Sequence, residues 1–97
     1  MVDKLEIITE ENFILFDNKL KKIIINDQEK DFKEDIFNKL LNIICLWTNN
    51  YINNNTLDGT EYKINIYSNN LKEEIIIKND FPFNFIEFLK VLGEVYE

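Results

Sequence analysis

The side chains that could carry chemistry are carboxylates and little else. The 97-residue chain has 18 Asp and Glu, 11 Lys, one Cys, and neither His nor Arg. Without His, the usual general base near neutral pH and the commonest metal ligand are both missing. Ser–His and Cys–His nucleophile pairs cannot be built, and a zinc site has no donor set. Two isolated glycines, Gly59 and Gly93, make neither a P-loop nor a dinucleotide fingerprint. An enzyme working with carboxylates alone would need two of them converging in one cleft. The residues therefore read as those of a non-enzymatic protein with no catalytic residue, cofactor or metal.

The carboxylates fall into groups. Asp31, Glu34 and Asp35 crowd what reads as a helix start. They suit docking of a basic partner, and they equally suit capping and the positive end of the helix dipole. Glu6, Glu10 and Glu11 form a second group, and Asp27 with Glu29 a third. The net charge of −7 is even, −2, −2 and −3 over residues 1–30, 31–60 and 61–97, so there is no charged tail. That balance argues against direct nucleic-acid or anionic-membrane binding, which needs a basic surface, and suits a basic protein partner. Cys45, inside Ile43-Ile44-Cys45-Leu46-Trp47, is expected to be buried and inert. Trp47 and Tyr51 read as core. Tyr67 falls opposite Ile64 and Ile66 in an alternating run, which makes it a candidate contact anchor on an exposed sheet face.

Elements must position these groups. Leu, Ile, Val and Phe make up 37 of the 97 residues, enough for a core without metals or disulfides. The abundance of Ile, Asn, Lys and Phe matches AT-rich codon usage, so neither the Asn runs nor the choice of Lys over Arg carries a functional argument. Residues 4–26 read as two or three antiparallel strands, Leu5 to Thr9, Phe13 to Phe16 and Leu20 to Ile25, with a tight turn at Asp17-Asn18. Phe32, Ile36, Leu40, Ile43, Ile44 and Trp47 then recur at helical spacing, widened by Phe37 and Leu41, which predicts a helix over 31–49 with Asp31 and Glu34 as a capping pair. Asn49 to Asn55 reads as a loop and Asp58-Gly59 as a turn.

A second hairpin follows. Tyr62, Ile64 and Ile66 share its core face, Ser68-Asn69-Asn70 turns the chain, and Leu71 to Lys78 returns. A final helix starts at Asn84, with Glu87 at capping-box spacing and Phe83 and Phe88 placed as a hydrophobic staple. Hairpin, helix, hairpin, helix predicts one α+β domain over residues 1–97. Its antiparallel sheet of four to five strands carries both helices on one face. The other face, with Lys63, Asn65, Tyr67, Lys72, Glu74 and Ile76, is left exposed or covered by a partner.

No apolar run approaches the roughly 18 residues of a membrane span. Met1 to Glu11 does not read as a signal peptide. A lone Cys fits a reducing cytoplasm, where the sequon Asn54-Asn55-Thr56 has no meaning. Asp58-Gly59, the strand Tyr62-Lys63-Ile64-Asn65-Ile66, a second strand and then Asn79-Asp80-Phe81-Pro82-Phe83-Asn84-Phe85 opening a helix form a pattern over the last 40 residues. It resembles small bacterial α+β proteins of the immunity-protein type. That resemblance implies fold and a role in neutralising a toxin, and it assigns no residue. The expected function is a small acidic inhibitor occluding a basic protein such as a toxin nuclease, with Asp31, Glu34, Asp35 and Tyr67 as contact residues. An anti-CRISPR-like, phage-type inhibitor of a nucleic-acid enzyme and a self-associating structural module are the alternatives.

Overall fold

The computed structural model describes residues 1–48, 50–53 and 59–97. Turn chemistry sets the first half. Strand β1 (Lys4–Ile8) leads through residues 9–12, where Thr9 Oγ1 accepts from the Asn12 N–H at 3.0 Å, into β2 (Phe13–Asp17). The Asp17 carboxylate then accepts from the backbone N–H groups of Lys19 and Leu20, both at 3.0 Å, and starts the turn into β3 (Lys22–Ile25). Asn26 and Asp27 both have positive φ, 47° and 71°, as a two-residue hairpin turn requires. They lead into β4 (Gln28–Asp31), a strand the sequence does not announce because all four of its residues are polar and exposed.

Helix α1 spans Glu34–Ile44, not 31–49. Asp31 is taken up by β4, where it pairs with Lys22, so it caps nothing, and Lys33 at the N-cap makes no side-chain cap bond. After Ile44 the chain tightens. The N–H of Trp47 reaches Ile44 O at 2.9 Å, and its indole Nε1 donates to Phe83 O at 2.7 Å. Next comes β5 (Asn50–Ile52), a second unpredicted strand. The long hairpin β6 (Glu61–Ser68) and β7 (Leu71–Lys78) turns at Asn69-Asn70 as expected, both residues having positive φ. Helix α2 (Phe85–Gly93) ends in one 3-10 turn at Glu94–Tyr96. The expected capping box is absent: Asn84 is left-handed and makes no cap bond. The staple is absent too, since Phe83 is 75% exposed while Phe88 packs against Trp47 at 5.1 Å. Sequence position 49, the segment from Asn54 to Asp58, and with them the sequon and half of the Asp58-Gly59 turn, lie outside the described residues.

The sheet has seven strands in the order β4-β3-β2-β1-β6-β7-β5. Five of the six strand pairings are antiparallel, and β5 runs parallel to β7. The expectation of an all-antiparallel sheet of four to five strands is thereby corrected, while the α+β class stands. One face of this mixed sheet is apolar. Leu5, Ile7, Ile14, Phe16, Ile23, Ile25, Ile64, Ile75 and Ile77 are all buried there, in one cluster with Ile36, Phe37, Leu40, Ile43 and Ile44 of α1 and Phe85, Phe88, Val91 and Leu92 of α2. Lys33 fastens the helical layer by donating to the carbonyl oxygens of Glu94 at 3.1 Å and Glu97 at 2.7 Å, a cation set on the carbonyl end of a helical segment.

Candidate functional site

Pairing register decides which side chains meet on the face away from the helices. Residues directly opposite one another point to the same side. Glu6 of β1 faces Leu15 of β2 on one side and Asn65 of β6 on the other; beyond these come Ile24 of β3 and Glu74 of β7. One row therefore reads Glu29, Ile24, Leu15, Glu6, Asn65, Glu74 across six strands. The neighbouring rows add Phe13, Ile8, Lys63 and Ile76 on one side and Asp31, Lys22, Asp17, Lys4, Tyr67 and Lys72 on the other.

The centre of this face is a polar knot. Tyr67 donates its hydroxyl to Glu6 Oε1 at 2.7 Å, and Asn65 Nδ2 donates to the same oxygen at 3.2 Å. The hydrogen bond to Glu6 raises the Tyr67 pKa above its ordinary 10.0. Burial and the negative charges of Glu6 and Glu74 push the same way. Asn65 is 3% exposed, and its Oδ1 accepts no hydrogen bond from any described residue. A buried, unpaired amide oxygen costs about 1–3 kcal/mol. Lys63 stands 3.3 Å and Lys72 4.0 Å from Glu74, and Lys72 also lies 5.9 Å from the centre of the Tyr67 ring.

The sequence-derived contact residues do not converge. Tyr67 lies on the open face as expected, half-buried at its centre. Asp31 occupies the same row four strands away, roughly 19 Å at 4.8 Å per strand. Glu34 and Asp35 sit in the first turn of α1, on the helical layer. Glu34 is committed to Lys21 at 3.4 Å, an exposed pair worth little. Glu10 and Glu11 part from Glu6 and rim a cleft of about 340 Å³ walled by Tyr62, Leu89, Leu92 and Tyr96. Cys45 is exposed, because Ile44 takes the inward position and the next residue turns away from the core. Among the described residues no group of three His, Cys, Asp or Glu side chains could hold a metal ion, and no helix is long and apolar enough to cross a membrane.

The residues that sequence reasoning left apart are Glu6 and Asn65, 59 positions from each other. Each was assigned separately, Glu6 to an acidic group and Asn65 to the outer face, and only the β1–β6 register joins them. Comparison with known protein families, curated proteins and solved structures finds no match to this chain.

Proposed function

We propose that this chain is a non-enzymatic binding protein of the inhibitor or immunity type, which occludes a basic protein partner such as a toxin nuclease through the open face of its sheet. The observation behind this reading is the composition of that face. Ile8, Phe13, Leu15, Ile24 and Ile76 lie to one side of a hydrogen-bonded carboxylate, with no element of the described fold packed over them. Apolar contact area beside a partly desolvated polar centre is a combination that protein interfaces use. Lys and carboxylate side chains are nearly balanced across the face, so most of the −7 lies elsewhere. Charge then acts at long range, speeding the encounter with a basic partner, while shape and hydrogen bonds hold the complex. Asp31, Glu34 and Asp35 belong to that steering field.

The test begins with affinity capture of basic proteins at low salt and continues with the recovered partner in pure form. Titration calorimetry and the partner's own activity are followed with Leu15→Lys on the open face and Ile86→Lys on the exposed side of α2. Loss of binding and inhibition in the first variant alone supports the reading. Equal binding by both removes the open face from it.

A further inference from the structure

We infer that Glu6, Asn65 and Tyr67 form a receptor for one arginine side chain of the partner; this rests on the proposed function and names the chemistry its interface recognises. The vacancies in the knot are mostly acceptors. Glu6 Oε1 already receives two hydrogen bonds, from Asn65 and Tyr67, while Oε2 receives none from a described residue. Asn65 gives one of its two amide N–H donors to Glu6, and its Oδ1 has no donor among the described residues although the residue is 97% buried. Tyr67 spends its proton on Glu6, so its oxygen can now only accept. A ligand for such a site must bring several donors and a positive charge.

A guanidinium meets that description: five N–H donors in a planar fork, able to serve acceptors on two residues and to lie against an aromatic ring. The chain has no arginine of its own, and among the described residues no ammonium group, Lys4 opposite Tyr67 included, donates to Glu6 or to Asn65 Oδ1. Lys63 and Lys72 attend Glu74, and neither donates to Glu6 or to Asn65 Oδ1. Glu74 and Lys63 flank Asn65 on the face, one across the strands and one two residues along. Their ion pair is about half exposed, so swinging it aside to admit a guanidinium costs little.

The probe is the tripeptide amide Gly-Arg-Gly, titrated at constant ionic strength while the side-chain amide of Asn65 and the ring of Tyr67 are followed by NMR. Gly-Lys-Gly amide serves as the control. The expected result is a saturable shift with the arginine peptide, a weaker response to the lysine peptide, and a loss of about tenfold or more in affinity in Glu6→Gln. Asn65→Val gives the same loss and is expected to fold at least as well as the parent. An absent shift, an equal response to lysine, or undiminished binding by either folded variant overturns the site. A silent peptide alongside partner binding that Leu15→Lys abolishes overturns only the arginine receptor, whereas partner binding indifferent to Leu15→Lys overturns the interface itself.

Discussion

Replacing Asn65 by Val should make the free protein more stable and its complex weaker. Three contributions set the first sign. The substitution removes a buried amide oxygen that has no donor among the described residues, relieving about 1–3 kcal/mol. It puts a β-branched residue of similar size into the middle of β6, a gain of up to about 1 kcal/mol. Against these stands the hydrogen bond to Glu6, long at 3.2 Å, which belongs at the low end of the roughly 1.5–3 kcal/mol range for bonds to a charged group. Glu6 is not orphaned, because Tyr67 still donates to it. The net is a gain of about 1 kcal/mol, or about 4–8 °C in melting temperature for a domain of this size. Thermal melts and urea titrations followed by circular dichroism measure it. A loss of 1 kcal/mol or more would refute the reasoning, since it would mean that Oδ1 has a donor, such as an ordered water, that the substitution abolishes.

Two further outcomes follow from the same description. Phe88→Ala empties a fully buried site between Trp47 and Phe85, 5.1 and 5.9 Å away, and should cost about 3–5 kcal/mol in urea unfolding; a loss under about 1 kcal/mol would show that the helical layer closes over the gap. The raised pKa of Tyr67 means that the folded chain keeps a proton which the unfolded chain releases, so stability is intact below pH 10 and falls as pH rises beyond it. Tyr67→Phe should lessen that alkaline decline, leaving the part due to Tyr96, whose pKa burial also raises, and identical declines in the two proteins would contradict it.

Local signals carried the elements they govern. The Asn69-Asn70 turn, the alternation through β6 and the helical spacing of Ile36, Leu40, Ile43 and Ile44 all depend on neighbours in the chain, and all are legible in the sequence. What escaped depends on distant partners. Residues 28–31 are polar throughout and become a strand only because β3 offers them an edge. The three residues of β5 do so only beside β7. Asn84 has the right spacing for a cap, yet its backbone is left-handed and its side chain makes no cap bond. The candidate site follows the same rule. Tyr67 could be placed on a face by counting alternate residues, whereas its meeting with Glu6 requires knowing that β1 lies beside β6 at one particular register.

That central place of β1 bears on how the chain comes to be folded at all. Residues 4–31 can zip into a four-strand meander from short turns alone, each closing within microseconds. Yet β1 keeps one edge bare until β6, 59 residues downstream, has been made. Closing a loop of that length costs about 3.6 kcal/mol of chain entropy, and a pairing so distant in sequence puts folding towards the slow end of small domains. Strand β1 is thus enclosed only when β6 arrives, and Glu6 waits with it: the polar knot at the centre of the open face exists only once the two halves of the sheet have joined.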